Sequence, residues 1–151
     1  MMRKITQIIA TFCYLGYLPY APGTWGSLGA SGLIVLVSGN DLLYLSVTLL
    51  LLTLGFLFSG RAEKAFARHD APQIVIDEAA GMFLSLLFIR RSLLNIVIGF
   101  VLFRIFDIMK PFPANRLQKL KGSMGIMLDD VAAGIYANLV LRLVIFLLGK
   151  L

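Results

Sequence analysis

Residues 42–58 form an apolar run without a single charge. That run limits what the chain can become, because it approaches the roughly 20 residues that one helical bilayer crossing needs. The rest of the sequence agrees with it. Hydrophobic residues make up 59% of the 151 positions and the mean hydropathy is +0.88, against about 45–50% apolar residues in soluble domains. The length fits one domain, 1–151. The fold expected is an all-α, multi-pass membrane bundle with about five membrane segments, preceded by an interfacial or re-entrant N-terminal helix.

The segments follow from hydropathy and breakers. Residues 5–18 are apolar but contain Thr6, Gln7 and Thr11, and they are too few to cross. An interfacial or re-entrant helix suits them. Pro19, Pro22 and Gly23 then break the chain. Residues 26–37 and 42–58, joined by a turn at 38–41, read as a hairpin of two crossings. Residues 61–70 read as a solvated extension. Residues 75–89 and 93–106 form two shorter arms around Arg90, Arg91 and Ser92. Residues 110–125 read as a loop, and 130–148 as the last crossing. Arg3 and Lys4 before an apolar stretch resemble the start of a signal peptide. No small-x-small cleavage pattern follows, so the segment reads as retained.

Net charge is +6, and the basic residues flank apolar runs. That arrangement points to anionic lipid headgroups and topology control; no aromatic-basic nucleic-acid motif is visible. Arg3, Lys4, Arg61, Lys64, Arg68, Lys110, Arg116, Lys119 and Lys121 fall on one side. Arg90, Arg91 and Lys150 fall on the other. The basic excess places the N-terminus and both long loops in the cytoplasm. Cys13 is the only cysteine and His69 the only histidine. No intrachain disulfide and no Cys/His zinc spacing can exist; His69 reads as a solvated surface residue. Arg142 reads as snorkelling to the far interface.

Five of the eight acidic residues lie at the edges of apolar segments: Asp77 and Glu78, Asp107, and Asp129 and Asp130. Charges at membrane depth are costly and usually mark function. Converging carboxylates must take up protons or be neutralised by a cation, and oxygen ligands suit a hard ion such as Mg2+. Helix N-capping is the alternative for each pair. Small residues accompany both pairs at helical spacing. Gly81 and Ser85 follow Glu78, and Gly134 and Asn138 follow Asp130. Two helices with such faces can approach closely and bring the acids together. Arg104 and Asp107 share a helix face at i, i+3, with Lys110 three residues on. This is either an ion-pair ladder or a site where Asp107 holds metal while Arg104 and Lys110 hold phosphate. The rigid turn Ala21-Pro22-Gly23-Thr24-Trp25-Gly26-Ser27 leads into a helix, and its N–H groups and hydroxyls could hold an anion; a capped helix with Trp25 anchored at the interface is the alternative.

Four ordered blocks carry a resemblance. They are Ala21-Pro22-Gly23-Thr24-x-Gly26-Ser27-Leu28, Ile76-Asp77-Glu78-x-x-Gly81, Phe103-Arg104-x-Phe106-Asp107-x-x-Lys110-Pro111-x-Pro113, and Gly125-x-Met127-x-Asp129-Asp130-x-x-Ala133-Gly134. Together the sequence resembles the phosphatidylglycerophosphatase A family. The resemblance implies a Mg2+-dependent lipid phosphatase of the bacterial cytoplasmic (inner) membrane, with its site facing the cytoplasm. Such an enzyme hydrolyses phosphatidylglycerophosphate to phosphatidylglycerol and inorganic phosphate, in phospholipid biosynthesis. Asp77, Glu78, Asp107, Asp129 and Asp130 would hold Mg2+. Asp77, Asp107, Asp130 and Lys110 would be catalytic. Thr24, Arg104 and Lys110 would bind substrate. Two other readings fit clustered membrane acids: a CDP-alcohol phosphotransferase-like enzyme, whose linked aspartate pattern is missing here, and a cation transporter subunit, which would need acids near the midplane.

Overall fold

The computed structural model describes residues 2–68 and 71–149. Among these residues the chain is all-helical, with seven α-helices and no strand. They are α1 (Met2–Ala10), α2 (Pro22–Val37), α3 (Asp41–Phe66), α4 (Ile76–Ser85), α5 (Leu93–Met109), α6 (Ala114–Leu117) and α7 (Ser123–Leu147). A short 3-10 turn, Leu15–Tyr17, joins α1 to α2. His69 and Lys150, read above as surface and far-side residues, lie outside the described residues.

Two described helices, not about five, are long and apolar enough to cross a membrane: α3 and α7. At 1.5 Å per residue, α2 and α5 reach only about 24–26 Å and α4 about 15 Å, against a hydrocarbon core of about 30 Å. The apolar windows of α3 and α7 are only 28% and 33% buried, whereas the core helix of a soluble protein would be mostly buried. Their outward faces are apolar: Leu42, Leu49, Leu50 and Leu57 on α3, and Ile135, Leu139, Leu143 and Leu147 on α7 are exposed.

The ten-residue α4 is the axis of the bundle. Eight of its residues are buried, and it packs against α7, α3, α2 and α5. Small residues allow this. A Cβ on Gly81 would lie 2.8 Å from the backbone oxygen of Asp130, and one on Gly134 would lie 2.5 Å from the oxygen of Gly81. The α4 and α7 backbones therefore touch where the sequence placed its small stripes. On the α3 side, the buried Tyr44 hydroxyl donates to the Phe83 carbonyl at 2.6 Å, and the two rings stack.

The α4 helix ends earlier than its hydropathy suggests. Residues 75–89 read as one segment, yet the helix stops at Ser85, and Phe88 turns through φ 58. The α7 side chains supply the missing donors. Asn138 Nδ2 donates to the carbonyls of Leu84, Ser85 and Leu87 at 3.0–3.2 Å. Arg142 donates to Leu87 and Phe88 and to Asn138 Oδ1. Arg142 is thus occupied with helix-end carbonyls rather than snorkelling to the interface.

The expected turns lie at two ends of the bundle. Arg91 joins the α2–α3 turn to the α4–α5 turn, through the Ser38 carbonyl, Asp41 and the face of Tyr44. At the other end, Gly60 N–H donates to Ser123 Oγ, joining α3 to the start of α7. The segment 110–125 is not a plain loop: it contains α6, and α7 begins seven residues before Asp130.

Candidate active site

Four elements meet at the second end of the bundle around a cavity of about 230 Å3. The first turn of α4 brings Asp77 and Glu78. The C-terminal part of α5 brings Arg104 and Asp107, and its C-cap is Lys110. The second turn of α7 brings Asp129 and Asp130, and the entry to α2 brings Ala21, Pro22 and Gly23. All of these line the cavity, with Pro72 and Ile74. Every clustered acid and its two partner bases singled out in the sequence are therefore in one place. Thr24 is half-buried in the adjoining turn and is not among the lining residues.

The acids do not act as caps. The N-cap of α4 is Val75 and that of α7 is Gly122, neither with a side-chain cap bond. Asp129 and Asp130 sit almost two turns inside α7, where no backbone N–H lacks its helical partner. All four aspartates are at least nine-tenths buried: Asp77 at 6%, Asp107 at 8%, Asp129 at 4% and Asp130 at 3% exposure. Burying that much negative charge is tolerable only with counter-charge.

Two of the acids pair with the two bases that line the cavity. Arg104 Nη1 lies 2.6 Å from Asp107 Oδ2, the i, i+3 pair. Lys110 Nζ lies 2.5 Å from Asp129 Oδ2. Burial works against the Lys110 charge, yet the hydrogen bond and charge of Asp129, with Asp130 and Asp107 beyond it, hold the ammonium above the ordinary lysine range. Lys110 can take this place because it adopts a left-handed conformation, φ 42, that ends α5 before Pro111.

The other three acids converge on one another. Asp77, Glu78 and Asp130 each offer an oxygen within 4.8 Å of the other two. Glu78 Oε2 and Asp130 Oδ2 are buried with no hydrogen-bond partner. Burial pushes the Glu78 carboxyl up to about 7, and Asp107 adds to this, while Asp77 and Arg104 pull the other way. Three carboxylates, two of them with unsatisfied buried oxygens, are the donor set a hard cation takes. The residues thus fit a metal ion, with α4's positive N-terminal dipole moderating the repulsion.

The α2 entry presses on this group from above the cavity. A Cβ on Gly23 would collide with Glu78 Oε1 and lie 3.2 Å from Arg104 Nη1. Ser27, one turn on and fully buried, accepts from Arg104 Nη1 at 3.4 Å and donates to the Gly23 carbonyl at 2.8 Å. The sequence places Ser27 within the 21–27 turn whose hydroxyls could hold an anion, but within it assigns phosphate contact to Thr24 alone. The available signal was the i, i+4 spacing of Gly23 and Ser27, which puts both on one face.

Comparison with known proteins bears on the same residues. No solved structure matches the chain. A Bacteroides thetaiotaomicron protein named as a candidate phosphatidylinositol-3-phosphatase is 32% identical over 150 residues, covering 94% of each chain. Two proteins named Phosphatidylglycerophosphatase A are also similar. The Haemophilus influenzae protein is 41% identical, over 83% of this chain and 79% of its own. The Escherichia coli protein is 36% identical, over 80% and 72%. The family model described as Phosphatidylglycerophosphatase A matches residues 8–145, a span that takes in the whole cavity, and the chain belongs to that family.

Proposed function

We propose that the chain, working as one domain, hydrolyses phosphatidylglycerophosphate to phosphatidylglycerol and inorganic phosphate with Mg2+, in phospholipid biosynthesis at the bacterial cytoplasmic membrane. The observation that carries the reading is the meeting of two charge sets in one cavity. Three carboxylates, two with unsatisfied oxygens, lie beside a guanidinium and an ammonium. A phosphomonoester on a lipid headgroup needs both. The relatives named Phosphatidylglycerophosphatase A supply the substrate.

Asp77, Glu78 and Asp130 would hold the ion, with Asp107 and Asp129 beside them as further oxygen ligands. Mg2+ when bound would neutralise phosphate charge and make a water more acidic. The remaining work falls to the chain. Arg104 would hold the phosphate through its planar fork, and Lys110 would hold it as a point charge. As charge develops on the equatorial oxygens, both cations stabilise it. Asp107 and Asp129 orient them through the pairs described above. Thr24, at the start of α2, would contact the phosphate from the anion-favouring end of that helix. The shorter helices would pack between α3 and α7 without each spanning, and α1 would lie at the interface.

A second substrate comes from the Bacteroides relative, whose name points to phosphatidylinositol 3-phosphate. It too is a phosphomonoester on an anionic glycerophospholipid, and the same charges would bind it. The test is phosphate release by purified protein from each lipid, with Mg2+ and after exhaustive chelation. Release from phosphatidylglycerophosphate, lost with EDTA and restored by Mg2+, is expected. Full activity after chelation would remove the metal from the mechanism. Release from the phosphoinositide alone would move the substrate.

A further inference from the structure

We infer that Ser27 is a positioning residue for Arg104, setting the guanidinium for the phosphate. This inference rests on the phosphatase reading of the cavity. A hydroxyl has one proton and two lone pairs. The Ser27 proton is committed to the Gly23 carbonyl at 2.8 Å. Its oxygen can therefore only accept from Arg104 Nη1, at 3.4 Å. The same nitrogen is held on its other side by Asp107 Oδ2 at 2.6 Å. Two acceptors on two different helices thus fix one corner of the fork.

What remains of the fork faces a different situation. Arg104 Nε is buried without an acceptor, and the side chain lines the cavity. A buried charged donor without a partner is costly, and an anion entering the cavity would satisfy it. Gly23 completes the device. Its missing side chain lets α2 approach until Ser27, one turn on, is within reach of the guanidinium. On the Gly23–Ser27 face of α2, Gly23 leaves room for Glu78 Oε1 and Arg104 Nη1, and Ser27 reaches the arginine.

A serine acting through Arg104 must lose its influence when Arg104 is gone. The purified full chain with Mg2+ is assayed as wild type, S27A, R104A and S27A/R104A. The readouts are KM and kcat on phosphatidylglycerophosphate and the affinity for inorganic phosphate by calorimetry. With Arg104 present, S27A is expected to weaken phosphate affinity and to lower kcat/KM, each about fivefold, the scale of one ordinary hydrogen bond. In the R104A background S27A should do nothing. Equal losses in both backgrounds, or a fall in kcat with phosphate affinity intact, would overturn the role and leave Ser27 as packing. The calorimetric arm needs no turnover. A failure of the lipid substrate assignment appears in the wild-type kinetics, and a failure of the Ser27 assignment appears in the paired affinities.

Discussion

Asp130 Oδ2 is buried on α7 without a hydrogen-bond partner, about two turns from the helix start. Replacing Asp130 by Asn changes its charge and almost nothing of its shape. A residue placed there for packing or capping would tolerate the change. A residue placed there for a cation would not, because the neutral amide no longer balances the ion. D130N is expected to keep the thermal stability of the protein and lose about 100-fold or more in turnover, beyond the 10–100-fold cost of changing a mere supporting residue. D41N is the control. Asp41 lies at the far end, with its own side chain exposed beside Arg91 and away from the cavity. Equal turnover of D130N and D41N would return Asp130 to a structural role. At this scale the sequence was informative for a physical reason: a carboxylate beside an apolar run has few innocent explanations. The Arg104–Asp107 pair was visible because i, i+3 spacing is local. The Lys110–Asp129 pair was not, because it joins two elements through a left-handed turn that local spacing does not encode.

The seam between α4 and α7 decides whether the acids meet. Gly81 and Gly134 let the backbones touch, and the small stripes were legible as a period of three to four. The length of α4 was not legible. Residues 86–89 are Leu, Leu, Phe and Ile, with no proline or glycine to announce an end. The helix stops because Asn138 and Arg142, more than fifty positions away, take over its carbonyls. The same long-range bonds occupy Arg142, whose place seven residues before Gly149 reads in sequence as interfacial. Overpacking the seam gives the test. A side chain at 134 would drive into the Gly81 carbonyl, and neither backbone has room to move. G134L is expected to destabilise the protein by about 1–3 kcal/mol or more, seen as a lower melting temperature in detergent, with turnover lost along with it. A methyl group on Gly32 would meet no atom within 4 Å, so G32A should melt as the wild type does or slightly higher. An unchanged melting temperature for G134L would mean that the two helices do not meet at this point.

Across the whole molecule, charge and chemistry are sorted by end. The cavity, the start of α7 and the chain after α5 lie at one end. The Arg91–Ser38–Asp41 cluster lies at the other. Hydropathy could not say how many helices cross, because a short buried helix and a crossing arm are both apolar. Only packing separates α4, buried on nearly all sides, from α3 and α7, which keep an apolar outer face. The basic bias is independent of that count and still makes a directional statement. Basic segments stay on the cytoplasmic side, and the residues beside the cavity carry Lys110, Arg116, Lys119 and Lys121. The proposed orientation therefore puts the site on the cytoplasmic face. Cys13 is exposed and would report on its own, so it is first replaced by alanine. Single cysteines are then introduced at Lys119, exposed near the cavity, and at Arg90, exposed at the other end. In intact cells a membrane-impermeant thiol reagent should label R90C and spare K119C, and both should react once the membrane is permeabilised. Labelling of K119C from outside with R90C protected would invert the protein. Phosphate release would then have to occur on the outer face, and the basic loops would be cavity components rather than topological signals.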